Sequence, residues 1–143
     1  MSVFLNNTSK VAQVQVRVYN VNELEIHSDI LNVVRSVMCS VPWLETNLED
    51  VSITQLRGGL SNILYLVHHL ETGLKVIVRV FGVGTSDFID RATENIVFSK
   101  LSKGNVGPIF HGLFENGRVE GFLEARNLDP SEMQLASIYP MIA

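Results

Sequence analysis

The sequence has a single cysteine, Cys39, no run of basic residues, and no long apolar segment. One cysteine cannot form an internal disulfide, and no Cys or His stands at metal-ligand spacing from it, so a reduced cytosol is the expected compartment. Lysine and arginine number 11 against 15 acidic residues, which gives a formal net charge of −4 and makes nucleic acid an unexpected partner. Nowhere do about 18 apolar residues run together, so no membrane span is predicted.

The composition of the chain favours one folded domain. Its 143 residues are 46% hydrophobic and 18% charged, which argues against disorder and provides enough apolar side chain for a core. The first ten residues do not have the pattern of a secretory signal, because no charged segment leads into an apolar stretch with a cleavage site. A cytoplasmic protein is therefore predicted.

Hydrophobic periodicity predicts a mixed α+β fold. A period of two over residues 14–18 predicts an edge strand, and apolar positions at helical spacing from Ile26 predict a helix before Pro42. The remaining elements follow in the order strands, helix, strands. Strands are predicted over residues 51–56, 63–67, 74–81, 108–114 and 118–123, and a second helix over 87–103.

The turn between the first two of these strands is rich in glycine. It consists of Arg57, Gly58, Gly59, Leu60, Ser61 and Asn62, and Ile63 follows it. Paired glycines let a backbone approach a ligand and expose amide donors to phosphate oxygens, but they also serve ordinary hairpin turns. We give the two interpretations equal weight, because such hairpin turns are common. The turn matches neither a Walker loop nor a three-glycine pattern.

Two charged side chains are predicted on apolar faces. Arg79 alternates with Ile77 and Phe81 on a strand, so its guanidinium needs an anion nearby. Glu94 stands three and four residues before Val97 and Phe98, which turns its carboxylate toward the sheet. We therefore predict that Arg79 and Glu94 pair with each other. A glycine-rich hairpin, a strand cation and a helix carboxylate, in that order, are the layout of a kinase N-lobe.

Several ordered motifs resemble the choline/ethanolamine kinase family, and the resemblance runs from about residue 51 to the end of the chain. These motifs are RGGLSN from Arg57, VRVFG from Val78, IDR from Ile89 followed by Glu94, GP at Gly107, FENGRVEGF from Phe114, and LD at Leu128. The resemblance implies a kinase-like N-lobe: an antiparallel sheet of about five strands, a packed helix, and a preceding N-terminal helix.

The resemblance also implies a function, the transfer of the ATP γ-phosphoryl group to the hydroxyl of choline or ethanolamine with magnesium, a step of phospholipid precursor synthesis. In that family the glycine turn covers the phosphates, the strand arginine contacts them, and a linker lies along the adenine. Arg79 matches the arginine and Glu94 the family's helix glutamate. The linker matches Gly121, Phe122, Leu123, Glu124, Ala125, Arg126 and Asn127.

The family's catalytic aspartate and second metal ligand stand in His-Asn-Asp and Ile-Asp-Phe-Glu motifs, and neither motif occurs in this sequence. We therefore expect no catalytic or metal residue here, with magnesium and the amine substrate held by a second lobe. The expected organisation is an N-terminal extension over residues 1–50, the N-lobe over 51–123, and the hinge linker with the start of the second lobe over 124–143. A non-catalytic nucleotide-binding or regulatory module is the alternative, and the sequence leaves a homodimer open.

Overall fold

The computed structural model describes residues 12–18, 23–56, 62–82, 90–126 and 128–142. These ranges contain six strands, three α-helices, and 3₁₀ turns at Leu48–Asp50 and Glu132–Gln134. The strands and helices are β1 (Ala12–Gln13), α1 (Glu23–Met38), β2 (Val51–Leu56), β3 (Asn62–His69), β4 (Lys75–Phe81), α2 (Arg91–Lys103), β5 (Phe110–Phe114), β6 (Gly117–Gly121) and α3 (Tyr139–Ile142).

All six strands belong to one sheet in the order β1-β5-β6-β4-β3-β2. The five strands from β2 to β6 pair in antiparallel fashion, and β1 adds to β5 in parallel. The predicted α+β fold is confirmed, with its antiparallel sheet of about five strands, a packed helix and a preceding helix. The short β1 is an additional strand.

Helix α1 covers one face of the sheet. Its apolar side chains at i, i+3, i+4 and i+7 are fully or nearly fully buried, and they meet the alternating valines of β4 in the hydrophobic core. Each such burial contributes about 1.5–3 kcal/mol. The residues concerned are Ile30, Val33, Val34 and Val37 of α1 and Val76, Val78 and Val80 of β4.

The predicted edge strand over residues 14–18 is wrong, since the described strand structure in this segment is Ala12–Gln13, just before the predicted range. Burial still alternates beyond it, with Val18 buried and Arg17 exposed. Because β5 ends at Phe114, no strand of the described ranges pairs with Val18. The side chain of Asn116 takes that place, accepting a hydrogen bond from Val18 N at 3.1 Å and donating one to Val18 O at 3.0 Å.

Helix α2 begins at Arg91, so the predicted start at Asp87 is wrong. Asp90 has an extended backbone and caps the helix, accepting from Thr93 N at 3.1 Å and from Thr93 Oγ1 at 2.6 Å. Residues 87–89 lie outside the described ranges. The predicted stop is confirmed, because the Gly104 N–H closes the helix on Lys100 O.

Helix α2 packs near β5 on the face of the sheet opposite α1. The rings of Phe98 and Phe110 meet edge to face, with their centroids 5.4 Å apart. The strand register places Arg79 of β4 between Leu64 of β3 and Arg118 of β6. These side chains lie on the face opposite α1, because directly paired residues of antiparallel strands share a face.

Candidate functional site

The guanidinium of Arg79 binds Glu120, a residue of the neighbouring strand. Arg79 Nε lies 2.8 Å and Nη2 2.6 Å from Glu120 Oε1. The Arg79 side chain is 23% exposed, whereas that of Glu120 is 3% exposed. The predicted direct pairing of Arg79 with Glu94 is therefore wrong, although both side chains lie on the same side of the sheet.

Glu94 pairs instead with two other arginines. Its Oε1 accepts a hydrogen bond from Arg118 Nη1 at 3.0 Å, and its Oε2 accepts one from Arg91 Nη1 at 2.7 Å. The reason is the order of the strands, because β6 lies between β4 and β5 and α2 packs near β5. Arg118 of β6 is therefore the first cation that the Glu94 carboxylate meets.

Arg118 joins these two ion pairs into one chain of alternating charge. Its Nε lies 3.4 Å from Glu120 Oε2, and its Nη1 also donates to Asn95 Oδ1 at 3.0 Å. We call the resulting chain the charge network. It consists of Arg79, Glu120, Arg118, Glu94 and Arg91, in that order, and its three cations and two anions leave one net positive charge.

Aromatic rings lie against two arginines of the charge network, the central Arg118 and the terminal Arg91. The Arg118 guanidinium lies 4.2 Å from the centroid of the Phe98 ring, and that of Arg91 lies 4.3 Å from the Phe81 ring. Arg91 Nη1 also lies 3.4 Å from Asn62 Oδ1. Arg91 is therefore part of this network. The helical spacing of Asp87 and Arg91 also predicts a surface ion pair, and that pair stays a prediction because Asp87 lies outside the described ranges.

The pKa of Glu94 lies below the ordinary glutamate value. Burial of the carboxyl would by itself raise its pKa, but the hydrogen bond from Arg91 and the charge and hydrogen bond of Arg118 outweigh burial. Because the folded-state pKa is lower than the unfolded value of about 4.3, the resulting stabilisation is complete above about pH 5. It is lost as the pH falls through the folded-state pKa.

We therefore expect the free energy of unfolding to fall more steeply between about pH 5 and pH 3 in the unmodified chain than in Glu94→Gln. Urea denaturation at a series of pH values measures both slopes. The uncharged glutamine side chain of the variant has no proton to gain, so the difference between the curves isolates the contribution of Glu94. Parallel curves would show that the carboxylate is not stabilised by its arginines.

The segment after β6 is attached to the start of β4. Lys75 Nζ lies 2.5 Å from Glu124 Oε1 and 5.2 Å from the centroid of the Phe122 ring. Further along, Arg126 donates two hydrogen bonds to Glu132, at 2.7 and 2.6 Å. The described part of the linker, residues 122–126, has no helix or strand and leaves Leu123 exposed.

The described residues include part of the predicted site. Asn62 and Ile63 begin β3, Arg79 is in β4, Glu94 is in α2, Gly121 ends β6, and the linker follows. The structure brings Arg79, Glu94 and Asn62 together through the charge network. Six predicted residues lie outside the described ranges: Arg57, Gly58, Gly59, Leu60, Ser61 and Asn127.

Sequence reasoning missed Arg118 and Glu120. A signal was present, because the two residues alternate with Val119 on a predicted strand and so place opposite charges on one face of it. A buried charge needs a partner, which would have marked both residues as members of a polar cluster.

No group of three or more His, Cys, Asp or Glu side chains within the described ranges is arranged to hold a metal ion. In the same ranges, no helix combines the length and the apolar character that crossing a membrane requires.

The strand order and the helix packed near β5 define a kinase-like fold, which solved structures share. A choline kinase from Cryptosporidium parvum matches 76% of this chain with a TM-score of 0.63 and 27% identity. An ethanolamine kinase from Plasmodium vivax matches 83% of the chain with a TM-score of 0.69 and, at 21% identity, supports the fold alone. This chain covers 30% and 32% of those two chains.

The chain belongs to the choline/ethanolamine kinase family, whose model matches residues 53–143. A protein of Dictyostelium discoideum named probable ethanolamine kinase B is 33% identical over 124 residues, which are 84% of this chain and 27% of that protein. The ethanolamine kinase of Saccharomyces cerevisiae is 36% identical over 102 residues, which are 67% of this chain and 19% of that protein. The chain thus spans about a fifth to a third of its relatives' length.

Proposed function

We propose that this chain is the ATP-binding lobe of a cytoplasmic choline/ethanolamine kinase. In this proposal the lobe positions ATP, and the complete enzyme transfers the γ-phosphoryl group to the hydroxyl of choline or ethanolamine. Magnesium and the amine substrate are held by a second lobe.

The position of Arg79 is the observation that carries the proposal. Its side chain is part-exposed on the face opposite α1, and it extends from the strand that pairs with β3. Arg79 uses Nε and Nη2 for Glu120, and no group within the described ranges accepts a hydrogen bond from its Nη1. A part-exposed guanidinium with a remaining donor suits a phosphate oxygen.

The same face of the sheet offers an apolar surface for a nucleotide base. The register sets Leu66 of β3 opposite Ile77 of β4, and places Leu64 beside Arg79. Ile77 is buried and the two leucines are half-buried. Phe122 borders this surface, because its ring contacts Lys75, which lies two residues before Ile77 on the same face of β4. An adenine placed here would have the polar backbone of the linker at its edge, which supports the role proposed for residues 121–127.

Phosphoryl transfer depends mainly on positioning and on stabilising the charge of the phosphates. ATP supplies the phosphoryl group when bound, and Arg79 would hold the phosphates in place by charge-assisted hydrogen bonds. We assign the ligands of magnesium and the carboxylate that orients the substrate hydroxyl to the second lobe, because the family motifs that would supply them do not occur in this sequence.

We expect the purified chain to bind ATP weakly and to form neither phosphocholine nor phosphoethanolamine from labelled ATP. Arg79→Ala should weaken ATP binding about tenfold or more, because it removes a charge-assisted hydrogen bond worth about 1.5–3 kcal/mol. Isothermal titration measures the affinity. The control variant is Lys100→Ala, which removes an exposed positive charge on α2.

Equal ATP affinity of the unmodified chain and Arg79→Ala would contradict the proposed role of this arginine. Product formation by the purified chain, abolished by a substitution within it, would contradict the assignment of catalysis to a second lobe. ATP binding by a chain that gains no activity when a catalytic lobe is supplied would favour a regulatory module.

A further inference from the structure

We propose that Glu120 is a positioning residue for Arg79, and that Glu94 acts on Arg79 through Arg118 and Glu120. This inference rests on the proposed function, because it concerns how the arginine is presented to the phosphates of ATP. Glu120 would hold the guanidinium in the orientation that receives a phosphate. Helix α2 makes no ion pair with Arg79 and would influence its position through Arg118 and Glu120 of β6.

The contacts of Arg79 support this role. Two donors of one guanidinium, Nε and Nη2, converge on the same carboxylate oxygen, Oε1 of Glu120. Such a contact fixes the plane of the guanidinium as well as its position, because all five N–H groups of arginine lie in one plane. The Nη1 group is thereby held on the side that does not face Glu120.

Glu120 is in turn fixed by its own surroundings. It is 2% exposed, and its second oxygen, Oε2, faces Arg118 Nε. Each carboxylate oxygen therefore contacts a different arginine, and no other common side chain of this size can accept hydrogen bonds from both arginines. In Glu120→Gln the amide group would present a donor to one of the two arginines, so one contact of the pair would be lost.

The connection to α2 follows from Arg118. Its Nη1 donates to Glu94 Oε1 and to Asn95 Oδ1, both on the first turns of α2. Phe98 of the same helix covers the guanidinium. A shift of α2 would therefore move Arg118 first, Glu120 next, and Arg79 last.

The test compares the affinities of ATP and adenosine for each variant by isothermal titration. The ratio of the two affinities isolates the contribution of the phosphates, whereas a general loss of structure would lower both affinities together. We expect Glu120→Gln to lower the ratio about tenfold, the effect of losing one charge-assisted hydrogen bond, and to leave adenosine affinity unchanged. Arg79→Ala should lower the ratio at least as far, and adding Glu120→Gln to it should change nothing further.

The matched control is Glu115→Gln, which makes the same change of charge at an exposed position of the β5–β6 turn. It should leave the ratio unchanged, which would show that the effect depends on contact with Arg79. A fall of the ratio in the control equal to that in Glu120→Gln would overturn the inference.

A purely electrostatic view makes the opposite prediction for Glu120→Gln. Removing a negative charge beside Arg79 would then strengthen ATP binding, and a raised or unchanged ratio would overturn the positioning role. If Glu120→Gln does not fold, Glu94→Gln is the variant that tests the inference, because Glu94 is more exposed and its substitution disturbs the fold less. The network predicts that the ratio of ATP affinity to adenosine affinity falls about threefold in Glu94→Gln, and an unchanged ratio overturns the inference.

The failure of this inference differs from the failure of the proposed function. If the unmodified chain binds ATP no more tightly than adenosine, the proposed function fails. If the unmodified chain prefers ATP and Glu120→Gln keeps that preference, only the positioning role fails.

Discussion

Gly117→Ala is expected to lower the free energy of unfolding by about 3 kcal/mol or more, at the upper end of overpacking effects. A Cβ at this position would lie closer than 3.0 Å to the carbonyl oxygen of Arg79 and to the ring of Phe114. The Arg79 carbonyl belongs to the central strand β4, so relief of the clash requires β4 and β6 to separate. Chemical denaturation measures the loss.

Gly107→Ala is the matched control for this substitution. Within 4 Å, a Cβ at Gly107 would meet only the Cβ of Leu101, at 3.6 Å, which is an ordinary van der Waals contact. Its stability should stay within about 1 kcal/mol of the unmodified chain, with a small gain from the reduced entropy of the unfolded state. A Gly117→Ala chain with an unchanged unfolding midpoint would contradict the close strand approach described here.

Arg118→Ala is expected to destabilise the fold by about 3–5 kcal/mol, the usual cost of removing one partner from a buried ion pair. The Arg118 side chain is 4% exposed, and its loss would leave Glu120 with one arginine and Glu94 with another. The packing of the guanidinium on Phe98 would be lost as well. Guanidinium chloride unfolding followed by circular dichroism measures the change.

Arg118→Lys separates charge from geometry in this position. Lysine keeps the positive charge, but a single ammonium cannot reach Glu94, Asn95 and Glu120 as the planar guanidinium does. We therefore expect a loss between that of Arg118→Ala and that of the exposed control Lys100→Ala, which should be near zero. Equal stability of the lysine variant and the unmodified chain would mean that the network needs only a charge at this position.

Much of the fold could be predicted from the sequence because local periodicity reports burial. The bounds predicted for β2 agree with the structure, and those of the other central strands differ by a few residues. Asp90 shows where this reasoning stops, since it fits both the helical pattern and the cap. Only the backbone decides between them, and in the structure Asp90 is extended.

The pairing of the charges could not be predicted in the same way. Periodicity places Arg79 and Glu94 on faces turned toward the sheet, but it does not tell which strand lies between them. The intervening strand is β6, which pairs with β4. This pairing joins residues about 40 positions apart in sequence, such as Arg79 and Glu120. Sequence reasoning therefore identified Arg79 and Glu94, which both belong to the charge network, and missed Arg118 and Glu120, which connect them.

Gly117 illustrates a second limit. The Asn-Gly pair after Glu115 predicts a tight turn, and a turn is present at residues 115–116. Gly117 itself, however, belongs to β6 and is not among the residues with positive φ. The glycine is needed because the Arg79 backbone passes close to it, which is a property of the folded sheet and not of the dipeptide.

Asn116 has a consequence for the order in which the fold assembles. Its side chain holds Val18 across a separation of 98 residues, and β1 meets β5 over a similar span. The hairpin of β5 and β6 is local by comparison, and closing short loops is faster than closing long ones. The N-terminal segment should therefore dock late, onto a hairpin already formed, and until then the edge of β5 is open to pairing with another chain.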